Sequence, residues 1–172
     1  MKVLIAVASR HGATREIADA IAEVLEGSGF DVHVADPDDV ETVDEYGAVL
    51  LGSAVYVGRW AASARAFSDR FVAQLNRRPV WLFSSGPVGT PPAPAGDAEE
   101  VPSLIARLHA KGHRSFPGRL DRSGLALAER AVVALVQAEN GDFRRWREVQ
   151  DWALQVSQEL HAQEIRQVRL TL

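Results

Sequence analysis

The chain has 172 residues, 47% hydrophobic and 24% charged, with a formal net charge of −4. That length and composition fit one soluble globular domain with a real core. The charge gives no bulk attraction to nucleic acid or an anionic membrane, and the lack of cysteine excludes disulfides, iron–sulfur clusters and thiol catalysis. A reducing cytoplasm is the simplest compartment for such a chain. The N-terminus has the pattern of a strand, not of a signal peptide. No apolar run approaches the ~18 residues that span a bilayer.

The first apolar run, Lys2–Ala8, predicts a buried strand. A short loop leads from it into a helical pattern over Ala13–Glu26, with Ile17, Ile21, Val24 and Leu25 on one face. A second strand is expected at Asp31–Ala35, a short turn of helix near Asp38–Glu45 and a third strand at Ala48–Gly52. Trp60–Leu75 reads as a helix, because Trp60, Ala64, Phe67, Phe71 and Leu75 fall at helical spacing. Pro79–Ser84 is a fourth strand, and the Pro- and Gly-rich Gly86–Gly96 a surface loop. A helix over Pro102–Lys111 and a fifth strand over His113–Leu120 follow. Leu125–Ala138 is an extra apolar segment that reads as a helix. After it, the turn Glu139-Asn-Gly-Asp142 places Asp142 as N-cap of a last helix over Arg144–Leu160. Five apolar strands alternating with helices imply an α/β fold, its parallel sheet covered on both faces. Residues 1–160 read as one domain and residues 161–172 as a C-terminal tail.

The loop after the first strand carries the chemistry. In Ser9-Arg-His-Gly-Ala-Thr14 the backbone N–H groups and the helix N-terminus converge on one spot, where the dipole favours negative charge. Ser9 and Thr14 add hydroxyl donors. This predicts a phosphate monoester site. No lysine follows Gly12, so it is not a Walker loop. Gly12 is the only glycine in the turn, so it is not the dinucleotide fingerprint. A mononucleotide remains.

Other chemistries find less support. His109 and His113 have i,i+4 spacing, but Gly112 should end that helix, so no metal site is expected. Ser85 lacks the Gly-x-Ser-x-Gly elbow of a hydrolase. Ser9 and Ser53 stand at strand ends where a receiver domain would need acidic residues. Charge is uneven: Asp31–Glu45 carries seven carboxylates and no Lys or Arg, whereas Arg107–Arg122 carries five basic residues against one Asp. Both runs read as solvated faces or as docking surfaces, the acidic one for a basic redox partner and the basic one for a carboxylate-bearing substrate.

Ser9-Arg-His-Gly-Ala-Thr14 resembles the Ser/Thr-x-x-Gly-x-Thr phosphate loop of flavodoxin-like proteins, which bind FMN. Two further loops, Gly52-Ser-Ala-Val-Tyr-Val-Gly58 and Ser84-Ser-Gly-Pro-Val-Gly89, follow the third and fourth strands, as the flavin loops of that fold do. The resemblance implies a flavodoxin-like three-layer sandwich with a five-stranded parallel sheet in the order 2-1-3-4-5 and noncovalent FMN. Within the family the chain is similar to the menaquinone-dependent protoporphyrinogen oxidases. The likeness lies in Ser9–Ala18, in the Gly52–Gly58 loop, in the segment after the fifth strand and in Gly141-Asp-Phe-Arg-Arg-Trp146. It departs from them in a Pro-rich fourth-strand loop and a less basic insert. This branch implies a tetrapyrrole substrate, a quinone acceptor and haem biosynthesis. The alternative is a flavodoxin-type electron carrier whose partner is a redox protein.

The resemblance assigns Ser9, Arg10, His11, Gly12, Ala13 and Thr14 to the FMN phosphate. Arg10 has a second reading as a plain surface residue, and His11 would offer its backbone N–H, not its ring. Ser53, Ala54, Val55, Tyr56, Val57 and Gly58 belong to the flavin ring. Tyr56 is the best candidate to stack on it, a core-facing or surface tyrosine being the alternative. The Val57–Gly58 peptide is expected to face flavin N5. Ser84, Ser85, Gly86, Pro87, Val88 and Gly89 approach the pyrimidine side with backbone N–H groups, in a loop without an aromatic residue that leaves one ring face open. Trp60 is expected as the first core residue of its helix, and Arg59 either meets a substrate anion or is solvated. Leu125–Ala138 has three readings: a helix packed on the sheet edge, a homodimer interface, or a contact with a quinone or the membrane inner face. No catalytic residue is assigned.

Overall fold

In the computed structural model, residues 1–86, 98–121, 123, 125–135 and 140–170 are described. The apolar run at the start becomes strand β1 (Lys2–Ala8), and Val3 to Ala8 are at most 2% exposed. Such a run must be covered on both faces and paired on both edges. Strand β2 (Asp31–Ala35) pairs with one edge and β3 (Ala48–Tyr56) with the other, both parallel. Strand β5 (Val80–Ser85) lies on β3, and β6 (Gly112–Phe116) on β5, again parallel. The parallel order β2-β1-β3-β5-β6 is the expected 2-1-3-4-5 when only the five long strands are counted.

The sheet has a sixth strand that the sequence did not announce. β4 (Arg59–Trp60) pairs antiparallel with β3 through Val55↔Trp60 and Tyr56↔Arg59. The turn between them is Val57-Gly58, with φ of 49° and 72°. A two-residue hairpin needs both central residues left-handed so that its twist matches the strands. Glycine meets this freely, whereas valine does so under strain.

Helix α1 (Ala13–Gly27) covers one face of the sheet together with α6 (Trp146–Leu170). Ile17, Ile21 and Leu25 of α1 are fully buried there beside Val149, Trp152 and Leu160 of α6. Each such aliphatic side chain contributes about 2 kcal/mol by leaving water. The opposite face carries α2 (Ala62–Arg70), α3 (Val72–Leu75) and α4 (Val101–Leu108). A single-turn 3₁₀ helix, Pro37–Asp39, overlaps only the start of the helical turn expected near Asp38–Glu45.

Several boundaries move. The expected helix Trp60–Leu75 begins only at Ala62, because Trp60 is taken into the hairpin, and it breaks at Phe71, whose φ of −111° is not helical. Trp60 is still core, at 1% exposure. The expected strand His113–Leu120 divides into β6 and β7 (Arg119–Leu120) around Pro117, which has no N–H for a ladder. β7 pairs with β8 (Gly141–Asp142) in a separate two-stranded sheet. Asp142 therefore sits in a strand and does not cap the last helix, which starts at Trp146 and continues past Leu160 to Leu170. The extra apolar segment forms helix α5 (Leu127–Leu135). Residues 87–96 of the Pro-rich loop and residues 136–138 of the extra segment lie outside the described residues.

Candidate functional site

The C-terminal ends of β1, β3 and β5 are neighbours in the sheet, through Ala8↔Ser53, Ser53↔Ser84 and Ala54↔Ser85. The three predicted loops therefore leave the sheet side by side. The first passes through Gly12, whose φ of 80° is left-handed, and α1 begins at Ala13 with no side chain capping it. The first helical N–H groups thus face outward. A Cβ on Gly12 would meet nothing within 4 Å, so the space in front of the turn is open. The Ser9 hydroxyl is buried without a hydrogen-bond partner. Thr14 is 2% exposed in the first turn of α1. An unpaired hydroxyl beside an uncapped helix start is a donor set that fits a phosphomonoester.

The second loop is the β3–β4 hairpin. Gly52, one residue earlier than the assigned set, is needed for packing: a Cβ there would lie 2.1 Å from Cζ of the buried Phe83. The hydroxyls of Ser53 and Ser84 are engaged inside the protein. Ser53 Oγ accepts the Ala61 N–H at 2.9 Å and donates to the Ala54 carbonyl at 2.8 Å. Ser84 Oγ accepts the Trp60 indole N–H at 2.8 Å and is 2.8 Å from His113 Nε2. Both serines hold the hairpin onto the sheet, so what these positions can offer a ligand is backbone. Tyr56 is half-buried, and the Arg10 guanidinium lies 5.7 Å from its ring centroid, so the first and second loops touch. Val57, at the tip, is 70% exposed.

The third loop begins at Ser85 and Gly86. The Gly86 N–H donates to the Phe116 carbonyl at 2.9 Å, and a Cβ on Gly86 would be 3.6 Å from the Val55 carbonyl oxygen. This brings the third loop against the hairpin. Pro87, Val88 and Gly89 lie outside the described residues. On the far side of that loop the Glu99 N–H donates to the Gly58 carbonyl at 3.0 Å, and Glu100 accepts the Trp60 N–H at 3.0 Å. Arg59 stands 3.9 Å from the same Glu100 oxygen, so its cation already has a protein counter-charge.

A carboxylate that sequence reasoning did not place in the site enters it from α5. Glu129 is a buried residue, and its Oε1 is 2.9 Å from Arg10 Nη1 and 3.5 Å from His11 Nε2. Its Oε2 accepts the Ala126 N–H at 2.9 Å, the back-bond of a helix start. That N–H, with Arg10 and His11, holds the Glu129 carboxyl below the usual carboxylate range against the opposing effect of burial. Burial, then the Glu129 charge, push the Tyr56 hydroxyl up. Among the described residues four buried side-chain polar atoms make no hydrogen bond: Ser9 Oγ, the Tyr56 hydroxyl, Glu129 Oε1, which meets Arg10 as an ion pair only, and Glu100 Oε2. The first three belong to this one corner. The only hint in the sequence is a charged residue inside an apolar run, and its meeting with Arg10 is a tertiary event.

The insert is fastened beside the site by Arg144. Its guanidinium is 4% exposed and donates to Glu16 at 2.6 Å and to Asp142 at 2.6 Å, while stacking 4.5 Å from the Trp146 ring. Arg119 reaches the other oxygen of Glu16 at 3.2 Å. These partners, Arg144 first, hold Glu16 and Asp142 below their ordinary values. The basic run seen in the sequence is thus partly neutralised by the first turn of α1. No group of His, Asp or Glu among the described residues has the geometry of a metal site.

The fold and its three adjoining loops define a flavodoxin-like domain, and the flavodoxin domain family model matches residues 4–145. The chain belongs to that family. It is 30% identical over 94 residues to protoporphyrinogen IX dehydrogenase (quinone) of Escherichia coli (strain K12), a match covering 54% of this chain and 52% of that protein. The chain thus spans about half the length of the curated relatives it matches. Among solved structures, rubredoxin oxygen:oxidoreductase from Desulfovibrio gigas superposes with a TM-score of 0.65 at 12% identity, covering 94% of this chain and 36% of that one. A flavodoxin from the domain Archaea gives 0.57 at 20% identity, covering 80% and 97%. These likenesses speak to the fold.

Proposed function

We propose that the chain is an FMN-dependent oxidoreductase that oxidises protoporphyrinogen IX and passes the electrons to a quinone, as a step of haem biosynthesis. The observation that carries the flavin part is the unpaired Ser9 hydroxyl beside the uncapped start of α1. FMN, when bound, supplies the redox chemistry. The residues supply position and charge. The N–H groups of Ala13 and Thr14 and the helix dipole neutralise the phosphate, and Ser9 completes its donors. Gly12 keeps a side chain out of the cradle. Tyr56 covers one ring face, and the backbone at Ser85 and Gly86 approaches the ring edge. The substrate part rests on the 30% identity and on the insert of β7, α5 and β8 beside the loop. Leu127 of α5, 84% exposed, offers an apolar contact to a quinone-bearing membrane surface. Among the described residues no helix is long and apolar enough to cross a membrane. The compartment we assign is the cytoplasm, with peripheral attachment.

One observation favours a second reading, that of a diffusible electron carrier. Val57 is an exposed apolar tip beside the flavin loops and suits contact with a redox protein. An anaerobic titration with FMN, followed by an assay of protoporphyrinogen IX consumption with and without menaquinone, separates the two. Bound flavin with menaquinone-dependent consumption supports the enzyme. Bound flavin without consumption selects the carrier, and failure to bind flavin overturns both.

A further inference from the structure

We infer that Glu129 is a built-in occupant of the anion site: α5 docks on the phosphate loop through this carboxylate, and a phosphomonoester gains Arg10 only by displacing it. The inference rests on the FMN reading of the site and adds its regulation. Arg10 and His11, the two loop side chains able to carry positive charge, both face one Glu129 oxygen, at 2.9 and 3.5 Å. The carboxylate is 9% exposed while Arg10 is 66% exposed, so the pair joins a buried acid to a solvent-facing cation. The Ser9 hydroxyl remains unpaired beside it. Glu129 thus takes the cation, while the Ser9 hydroxyl of the same loop stays without a partner. A phosphate dianion that reaches for Arg10 meets the ionised carboxylate already held there, and like charges in a half-dry site repel.

The packing allows the exchange. Leu125 and Val133 form a small buried cluster with Leu120 that is separate from the two cores flanking the sheet. Among the described residues, Val133 of α5 packs with Leu125 against Leu120 of β7, and the contact of α5 with the phosphate loop is the Glu129 ion pair. Releasing Glu129 therefore lifts the helix from the loop without opening either sheet core. Any ligand that holds Arg10 through a phosphate selects the lifted state, and one without a phosphate does not.

The test compares the chain with its Glu129→Gln variant. Glutamine keeps an oxygen for the Ala126 N–H, so the start of α5 survives and only the charge is lost. FMN and riboflavin, which lacks the phosphate, are titrated by flavin fluorescence. Hydrogen exchange of residues 125–135 is followed in both proteins without flavin, and in the parent also with FMN. The variant is expected to bind FMN about five-fold more tightly or better, with riboflavin unchanged. Residues 125–135 are expected to lose exchange protection in the variant, and in the parent when FMN is added. Equal or weaker FMN binding by the variant, or equal protection in both proteins, overturns the inference and leaves the FMN reading standing. If neither protein binds either flavin, the FMN reading falls and takes the inference with it.

Discussion

Replacing Arg144 by alanine removes the clasp between the insert and the first turn of α1. The guanidinium makes two charge-assisted contacts at 2.6 Å, to Glu16 and Asp142, and a further one to Asp142 at 2.8 Å. Buried contacts of this kind are worth about 1.5–3 kcal/mol together with the penalty for the groups left behind. Glu16 and Asp142 are 45% and 44% exposed, so water re-solvates them and the lower half of that range applies. Loss of the stacking on Trp146 adds ~0.5 kcal/mol. The expected cost is about 2–2.5 kcal/mol, which for a chain of this size lowers Tm by about 4–10 °C. The pH dependence has a definite sign. Both carboxyls are held below their ordinary values in the folded protein. Their contribution is complete above the unfolded value, about pH 4, and is lost as pH falls through the depressed folded values. The gap between parent and Arg144→Ala should be wide at about pH 7 and narrow below about pH 4. Circular dichroism melts at both pH values read it. A gap as wide in acid as at neutrality refutes the ionic origin of the clasp.

Three other substitutions separate binding from folding. Ser9→Ala should leave stability within about 0.5 kcal/mol, since it removes an unpaired buried hydroxyl, yet weaken FMN about ten-fold in a fluorescence titration; a change in Tm with unaltered flavin affinity reverses that assignment. Val57→Gly should stabilise the protein by about 1 kcal/mol, because Val57 is held left-handed with its side chain in solvent; a lower midpoint in urea unfolding counts against the strain. Gly52→Ala should destabilise by roughly 3 kcal/mol, because its Cβ falls on the ring of Phe83; thermal melts unchanged by it mean that β3 and β5 can separate locally.

The sheet was legible because β1 is apolar at every position that is buried on both faces, and because Ile17, Ile21 and Leu25 repeat at the helical period. The strand–turn–helix geometry of the first loop was legible for a local reason: strand, turn and helix start are contiguous from Val3 to Thr14. The hairpin was not. Trp60 stands at helical spacing from Ala64 and Phe67, so periodicity draws it into α2. The turn also carries valine where the left-handed pair usually has asparagine or glycine. Nor does a sequence tell which way a strand-end serine points. Ser53 and Ser84 sit at the right strand ends, yet their hydroxyls turn inward to Ala61 and Trp60. Glu129 was unreadable as a neighbour of Arg10 because strands β2 to β7 lie between them in the chain.

The separate cluster of Leu120, Leu125 and Val133 has an evolutionary consequence. A segment whose described apolar contacts are its own behaves as a graft. Its outer face can be lengthened, recharged or exchanged between family members as long as the Arg144 clasp to Glu16 is kept, so new partners can be acquired at this edge without renegotiating the architecture beneath it.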